Sequence, residues 1–210
     1  MPYGFLDIAV TPSVRAAQAA MGVDQHWQQF KGERTFDKLT PNEAAFIAQR
    51  DSFYMATVSE TGWPYVQHRG GAPGFLKVID EKTLAFADYR GNRQYITLAN
   101  LSENDRAFLF LLDPARRQRI KIWGRARMIE NDPALMEQLF NNGYKAKPER
   151  AILFTIEAWD VNCSSHIVTR FTEAEIEEAF ATVQARIAQL EAENARLRTA
   201  VEKQPAVPSE

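Results

Sequence analysis

A short segment in the middle of the sequence, Asp88 to Arg93 (DYRGNR), concentrates residues that can hold an anion. Arg90 and Arg93 supply charged hydrogen-bond donors, Asn92 supplies a neutral amide, and Gly91 lets the backbone turn. The segment follows a predicted strand and precedes a predicted helix, whose free N-terminal N–H groups attract negative charge. These features predict a phosphate-binding loop, although the same composition is also typical of a solvated turn.

Two predicted strands carry further polar side chains that are able to approach this loop. In PYVQHRG, the alternation of a strand places Tyr65, Gln67 and Arg69 on one face. In RIKIWGRARMI, the basic face carries Arg119, Lys121, Trp123, Arg125 and Arg127. We expect the loop and these two faces to converge on one anionic ligand.

Cysteine and histidine offer little for catalysis or metal binding. Cys163 is the only cysteine, and His166 follows it closely. A zinc site needs further ligands and a nucleophilic thiol needs an activating partner, so neither a metal site nor a catalytic cysteine is predicted. His26 has no motif around it and is interpreted as a surface or packing residue.

The residues around the loop are predicted to form antiparallel hairpins and a few helices. From Ser52 onward, short β-rich runs alternate with turn residues, which favours hairpins over βαβ units. The predicted strands are FYMATVS, PYVQHRG, FLKVID, TLAFADY, AFLFLL, IKIWGRARMI and AILFTIEAWDV. Helices are predicted over residues 11–21, 41–49, 96–105 and 132–141, the second with a capping box of Thr40 and Glu43. The fold class is therefore mainly β with α (α+β), with six to seven antiparallel strands.

Two of the predicted strands have contrasting patterns. AFLFLL is continuously apolar, which predicts a strand buried on both faces at the centre of the barrel. IKIWGRARMI alternates instead, and its core-facing residues are predicted to be Ile120, Ile122, Ala126 and Met128.

The C-terminal segment carries a heptad repeat. The residues spaced alternately four and three apart are Ile176, Phe180, Val183, Ile187, Leu190, Asn194, Leu197 and Val201. With Asn194 at an a position and Leu190 and Leu197 at d positions, the pattern favours a parallel two-stranded coiled coil whose register the asparagine fixes. The charge pairs expected between the two chains are Arg186 with Glu191 and Glu193 with Arg198. The alternative is a helix that packs along its own barrel.

Composition limits the classes to which the protein can belong. Its 210 residues, 45% of them hydrophobic, suffice for one well-filled core with extensions. No apolar run approaches the roughly 20 residues of a membrane-spanning helix, and no leader pattern is present, so we expect a cytoplasmic protein without membrane contact. The net charge of -2 argues against a nucleic-acid-binding protein. Nine basic residues against four acidic ones between Asp88 and Arg127 suit one anionic ligand better, with nucleic-acid binding by the basic strand as a minor alternative.

The order of these motifs resembles that of the pyridoxamine 5'-phosphate oxidase-like family. The resemblance covers roughly residues 50–157 and rests on PYVQHRG, FADYRGNRQYITLANL, AFLFLL and RRQRIKIWGRARMIE. It implies an FMN-binding split β-barrel and a homodimer with the cofactor near the subunit interface. Around this barrel domain (residues 40–172) we expect an N-terminal wrapping segment (1–39), a C-terminal coiled-coil-like helix (173–203) and a disordered tail (204–210).

The resemblance also assigns cofactor-binding residues by position. The strand that lines the flavin and contributes to its phosphate site carries Gln67, His68 and Arg69. The phosphate loop carries Asn92, Arg93 and Gln94, the strand end beside the isoalloxazine ring carries Ala87 and Asp88, and Arg119 falls near the ring. For His68, a core-facing position is the alternative.

Two departures from the family pattern bear on function. Gln94 stands where the family's loop commonly has lysine, a loss of charge that Arg69 or Arg90 can replace. The family's oxidase ends in a Trp- and Arg-containing segment that helps to bind flavin and substrate, whereas this chain has AWDVNCSSHIVTRF, which resembles a divergent subfamily of flavoproteins. There Trp159 is expected to cover the ring and Arg170 to reach an anionic group, the alternative being a plain capping loop.

The resemblance therefore implies an FMN-dependent oxidoreductase, an oxidase or reductase. Because the C-terminal segment departs from the family's oxidase, we expect a small-molecule substrate or electron donor other than pyridoxamine phosphate. A non-catalytic flavin- or haem-binding protein is the alternative, since split barrels of this kind also store flavin or handle haem. No catalytic residue is assigned.

Overall fold

The computed structural model of the protein describes residues 4–25, 37–140, 144–161 and 164–202. The chain divides into two compact units, residues 1–167 and 168–210. The first contains a seven-stranded sheet and the second a long helix. The predictions for His26, for Cys163 and for the tail 204–210 fall outside the described residues.

Apart from α1, which the sequence does not predict, the helices and strands follow the predicted order. Among the described residues, three helices precede the sheet, α1 (Phe5–Ala9), α2 (Pro12–Ala20) and α3 (Pro41–Ala48). The strands are β1 (Ser52–Val58), β2 (Pro64–Gly70), β3 (Lys77–Asp80), β4 (Thr83–Tyr89), β5 (Arg106–Asp113), β6 (Gln118–Ile129) and β7 (Pro148–Val161). Helix α4 (Ile96–Glu103) joins β4 to β5, α5 (Pro133–Leu139) lies between β6 and β7, and α6 (Glu173–Glu202) belongs to the second unit.

Local capping residues set the starts of two helices. The Thr40 backbone N–H donates to the Glu43 carboxylate at 2.9 Å, and the Asn42 N–H donates to the Thr40 hydroxyl at 3.3 Å. The Val14 N–H donates in the same way to the hydroxyl of Thr11 at 3.4 Å. Both helices begin where the sequence predicts them, because these caps satisfy N–H groups that have no partner within the helix.

The seven strands form one antiparallel sheet in the order β2-β1-β5-β6-β7-β4-β3. Each of the pairs β1/β2, β3/β4 and β5/β6 is a hairpin. Within the described parts of the chain no ladder joins β2 to β3, so the sheet is open between its two edge strands. The predicted fold class is confirmed, with seven strands and a long C-terminal helix.

The ladder between β6 and β7 contains a β-bulge. The register shifts between Trp123 and Gly124, where β7 has one residue more than β6. At Gly124 the two strands are so close that a Cβ atom would lie 2.1 Å from the carbonyl oxygen of Thr155 and 2.5 Å from the ring of Phe154. This position therefore requires glycine.

Alternate residues of the strands point into one core on the inner face of the sheet. On β6, Ile120, Ile122 and Ala126 are buried, and Met128 packs against the same cluster, as the alternation predicts. These residues meet large buried side chains from the other strands, among them Phe53, Met55, Phe86, Leu109, Ile152 and Phe154. Burial of this apolar surface is the main force that stabilises the unit.

Strand β5 differs from its prediction. Ala107, Leu109 and Leu111 are buried, but the alternate residues Phe108 and Phe110 are only half-buried. The expectation of a strand buried on both faces is therefore wrong for a single chain. The run AFLFLL is continuously apolar because its second set of residues forms part of an apolar surface on the outside of the sheet.

This outer apolar face consists of Tyr54, Ala56, Val66, Phe108 and Phe110, on β1, β2 and β5. Tyr54 lies opposite Phe110, and Ala56 lies opposite both Val66 and Phe108. Directly opposite residues share one face of a sheet, so the five form a continuous patch. Tyr54 is 46% exposed and Val66 is 60% exposed.

The described ends of the N-terminal segment contact the sheet. Phe5 of α1 stacks on Trp123 of β6, with ring centroids 6.0 Å apart. At the other end, Trp159 of β7 donates from its indole nitrogen to the carbonyl oxygen of Lys38 at 2.8 Å. Both contacts attach the segment to the two longest strands.

The second unit is dominated by α6. Thr172 begins it, since its backbone N–H donates to the Glu175 carboxylate at 2.8 Å and the Glu175 N–H donates to the Thr172 hydroxyl at 3.3 Å. The long helix predicted from the heptad repeat is confirmed. Across the described part of the chain, no helix combines the length and apolar character needed to cross a bilayer.

Candidate functional site

The loop Asp88 to Arg93 borders a pocket of about 620 Å³, a volume that includes its open mouth. The pocket is lined by side chains of β2, by the end of β4, by residues 91–95 and by the first turn of α4. Because β2 is one edge strand and β4 lies next to the other, the pocket forms where two distant parts of the sheet approach each other.

The pocket residues of β2 face the inside of the sheet. Arg69 lies opposite Phe53 and Gln67 lies opposite Met55, and both apolar partners are buried in the core. Tyr65 lies on the same face, since residues two apart on a strand point the same way. The predicted grouping of these three polar residues on one face is confirmed.

The backbone of the loop adopts an uncommon conformation. Arg93 and Tyr95 have φ angles of 60° and 54°, in the left-handed region that few residues other than glycine occupy. The Gln94 N–H donates to the Asn92 side-chain oxygen at 3.0 Å and so fixes the turn. Tyr95 occupies the N-cap position of α4 without a capping side-chain hydrogen bond, so the first turn of this helix lines the pocket uncapped. An uncapped helix N-terminus is suited to binding an anion.

An ion pair crosses the pocket between β2 and β4. Arg69 Nη1 donates to Asp88 Oδ1 at 2.6 Å, and Arg150 Nε of β7 lies 3.8 Å from the other oxygen of Asp88. All three side chains are largely buried. In the described structure the Nε atoms of Arg69 and Arg150 are buried without a hydrogen-bond partner, so both guanidinium groups retain an unused donor.

A second cluster of charges lies around Glu149, the residue before Arg150. Glu149 accepts from Arg90 Nε at 2.8 Å and from Arg150 Nη2 at 3.4 Å, and the Tyr95 hydroxyl donates to it at 3.4 Å. The hydrogen bond from Arg90 lowers the pKa of Glu149 against an opposing effect of desolvation, with further help from the charges of both arginines. The carboxylate therefore stays ionised at neutral pH.

Tyr89 borders the pocket, but its side chain packs on the other face of β4, in the small apolar cluster of Ala87 and Leu139. Burial raises the pKa of Tyr89, and Tyr144, whose ring centroid lies 5.1 Å away, adds to the effect. Its hydroxyl oxygen is buried and has no hydrogen-bond partner in the described part of the chain. The phenol therefore stays protonated at neutral pH.

The site carries an excess of positive charge. The charged residues at the pocket and beside it are Arg69, Arg90, Arg93 and Arg150 and, on the acidic side, Asp88 and Glu149. This excess of two positive charges matches a phosphate monoester, which carries about -1.5 to -2 at neutral pH. Arg93 is exposed, lines the pocket and has no ion-pair partner among the described residues, so its charge is available to a ligand.

Most of the predicted site residues meet in this pocket. Those that line it are Gln67, Arg69, Asp88, Asn92, Arg93 and Gln94. The Gln67 side-chain oxygen also accepts a hydrogen bond from the Tyr65 hydroxyl, which orients the amide. The predicted strand and the predicted loop therefore form one site.

Three predicted residues lie elsewhere. His68 is exposed on the outer side of β2, with its ring 5.5 Å from that of Tyr54, so the core-facing alternative is wrong. Ala87 is buried on the opposite face of β4 from the pocket, in a small cluster with α5. Trp159 is 6% exposed and lies within the main core.

The remaining two predicted residues are arginines. Arg119 lies on the outer side of β6, opposite Leu112, and its Nε is buried without a partner in the described structure. Lys121, on the same side, pairs with Asp160 at 2.8 Å. The basic side of β6 thus does not line the pocket, and two of the three predicted surfaces meet there. Arg170 is exposed and belongs to the second unit.

The sequence does not predict the contribution of Arg150 and Glu149. Arg150 lies opposite Asp88 in the ladder between β4 and β7, although about 60 residues separate them in the chain. The register of that ladder is the signal that would have found both charged residues. It follows from pairing TLAFADY with PERAILFT, which places a basic residue against the acidic end of β4.

Comparison with known proteins matches residues 39–163, more than half of the chain, to the family model described as pyridoxamine 5'-phosphate oxidase. HupZ of Group A Streptococcus is 14% identical, with a TM-score of 0.46 over 63% of this chain and 100% of that chain. A Clostridium acetobutylicum protein related to general stress protein 26, of the pyridoxinephosphate oxidase family, is 18% identical, with a TM-score of 0.43 over 64% and 93%. An FMN-binding protein from Syntrophomonas wolfei is 17% identical, with a TM-score of 0.43 over 69% and 97%. No curated protein matches the chain.

Proposed function

We propose that this chain, which belongs to the pyridoxamine 5'-phosphate oxidase family, is a flavoprotein that binds FMN in the pocket between β2 and α4 and acts as an oxidoreductase on a small molecule. The observation that carries the proposal is the anion site at the loop. There Arg93, Arg69 and the uncapped first turn of α4 border one pocket, with a charge excess suited to a phosphate monoester.

The phosphate would be held by charged and backbone donors together. Arg93 contributes a guanidinium that is not committed to another residue among those described, and the first turn of α4 contributes backbone N–H groups. Arg69 also lines the pocket, although Asp88 engages one of its guanidinium nitrogens. This set makes up for the lysine that Gln94 replaces, because charge-assisted hydrogen bonds are about twice as strong as neutral ones.

The other polar groups of the pocket would orient the rest of the cofactor. Gln67 on β2 and Asp88 at the end of β4 also line the pocket, and they would address the ribityl chain or the ring. Bound FMN would supply the hydride-accepting chemistry, while the protein supplies position and electrostatics. Asp88, held between two arginines, would supply a fixed negative charge to the bound cofactor.

We further propose that the protein is a homodimer with the cofactor near the subunit interface. The outer apolar face of β1, β2 and β5 supports this, since it is a continuous patch of five apolar or aromatic residues with two strongly exposed members. Strand β2 contributes to that face and, through its other side, to the pocket. Arg119, on the outer side of β6, would then address the flavin of the second copy.

An absorption spectrum and a flavin titration test the cofactor. We expect the purified protein to be yellow or to bind added FMN with quenching of its fluorescence. Riboflavin, which has the same ring without the phosphate, should bind at least about tenfold more weakly, because it cannot use the loop. A colourless protein that binds neither compound would disprove the proposal.

Reduction of the bound flavin tests the enzymatic part. Bleaching of the flavin band on adding NADH or NADPH would support a reductase. A yellow protein that neither bleaches with these donors nor passes electrons to oxygen from any reductant would be a flavin-binding protein without turnover, and a Soret band would indicate haem. Cytoplasmic location belongs to the same proposal, since a chain with one cysteine suits a reducing compartment.

A further inference from the structure

Helix α6 presents a long apolar seam that the proposed flavin site does not use. The exposed fractions along the seam are Ile176 46%, Phe180 60%, Val183 54%, Ile187 50%, Leu190 46% and Leu197 61%. Soluble proteins rarely leave a continuous apolar stripe of this length uncovered. We propose that a second copy of this chain covers the seam, through a parallel, in-register, two-stranded coiled coil.

The spacing of the seam matches a two-stranded coil along almost the whole of α6. The seam residues alternate four and three apart, so they remain on one side of a supercoiled helix. The helix has 30 residues, which corresponds to about 45 Å, and the seam from Ile176 to Val201 spans nearly four heptads. A helix of this length with one apolar stripe is stabilised chiefly by burying that stripe against a partner.

A groove on α6 has the composition of a hole for a partner side chain. It is lined by Ile187, Leu190, Glu191, Asn194, Ala195 and Arg198. Four consecutive seam and flanking positions, of types a, d, e and a, form the hole that accepts a d-position side chain in a coiled coil. The equivalent Leu190 of a second copy is such a side chain, so the groove and its occupant come from the same sequence.

Charges beside the seam are complementary between parallel, in-register chains. In that arrangement Arg186 of each chain faces Glu191 of the other, and Glu193 faces Arg198. The twofold axis repeats both pairs, which gives four attractive contacts between chains. This complementarity identifies a second copy as the partner.

Asn194 supports the same orientation. It is the polar residue among the seam positions, at an a site where a parallel in-register dimer places it beside its own counterpart. The two side-chain amides can then hydrogen-bond to each other. In an antiparallel pair an a residue meets a d residue, so Asn194 would be buried against an apolar side chain without a partner.

Disulfide trapping in the full-length protein tests the proposal independently of flavin binding. In a Cys163→Ala background, Asn194→Cys should form an interchain disulfide readily under mild oxidation, because a parallel pair brings the two residues together. Ala192→Cys, at the f position on the far side of the helix, is the matched control and should form little. Equal disulfide formation at the two positions would overturn the proposal. That result is expected from an antiparallel coil and from a helix packed on its own barrel.

Charge reversal provides a second measurement that does not depend on cysteine chemistry. Arg186→Glu should raise the dissociation constant of the dimer about tenfold in analytical ultracentrifugation. The new carboxylate of each chain would face Glu191 of the other, which gives two repulsive contacts per dimer. Adding Glu191→Arg to the same chain should restore association. A dimer unaffected by the first change, or not rescued by the second, would exclude the pairing.

Discussion

At the scale of single residues, Arg93 and Gln94 are neighbours on the pocket loop, but only Arg93 is charged. We expect Arg93→Ala to weaken FMN binding by about tenfold or more, because a charged donor to phosphate is worth about 1.5–3 kcal/mol. Gln94→Ala, as the matched control, should change the affinity by about threefold or less. Fluorescence titration gives both constants, and similar affinities for the two variants would refute this assignment of the loop.

How far single residues can be predicted depends on whether their partners are near in sequence. The loop Asp88 to Arg93 and the alternation of β2 are local signals, and the structure brings both to one pocket. Arg150 meets Asp88 only through the register of β4 with β7, which no local pattern contains. His68 shows the reverse difficulty, since its neighbours on the strand line the pocket while it faces outward.

At the scale of elements, the close crossing at Gly124 is expected to limit substitution. Gly124→Ala would force a Cβ atom into the backbone of β7, and overpacking of this kind costs about 1–3 kcal/mol or more. For a chain of this size we expect the melting temperature to fall by about 5–10 °C. Gly91→Ala is the control, since nothing lies within 4 Å of a Cβ atom there. A Gly124→Ala protein as stable as the control would show that β6 and β7 can move apart without loss of unfolding free energy.

An ion pair at the end of β5 is expected to make stability depend on pH. Asp113 is 3% exposed and lies 2.7 Å from Arg50. Burial alone would raise the pKa of Asp113, but the backbone N–H of Arg116 and the charge of Arg50 outweigh it, so the pKa is lowered. A carboxylate with a lowered pKa stabilises the fold above its unfolded pKa and loses that contribution as the pH falls through about 4 and below.

Urea unfolding of Asp113→Asn tests this contribution. At neutral pH the variant should lose about 3 kcal/mol of unfolding free energy, because Arg50 is left without its charged partner. The difference from wild type should shrink as the pH is lowered from 6 to 3. Asp51→Asn, an exposed control, should show neither effect. A difference that stays constant with pH would argue against the ion pair as its source.

Elements with local signals could be predicted from the sequence, and their relations in space could not. The capping box of α3, the β-hairpins and the heptads of α6 are written in residues a few positions apart. The exposure of the second apolar face of β5 cannot be predicted without knowing what lies against the outside of the sheet. A continuous apolar run has the same pattern whether both faces of the strand are buried within one chain or one face is half-exposed.

At the scale of the whole molecule, the outer apolar face and the pocket share β2. We expect Val66→Glu to weaken the homodimer, because a charge would be buried in the interface, and to lower FMN affinity with it. Ile79→Glu on β3, also exposed and apolar, is the matched control and should leave both unchanged. Sedimentation and flavin titration are the measurements. A Val66→Glu protein with unaltered association and affinity would place the subunit interface elsewhere.

The position of β2 at the edge of the sheet has a further consequence. Among the strands that the structure describes, it is hydrogen-bonded to β1 alone, so the free energy needed to open it locally is lower than for a central strand. A ligand in the pocket would tie the inward side chains of β2 to the loop and α4 on the opposite side of the opening. Ligand binding in the pocket should therefore slow the amide hydrogen exchange of β2 more than that of any other strand, because the ligand bridges the opening of the sheet.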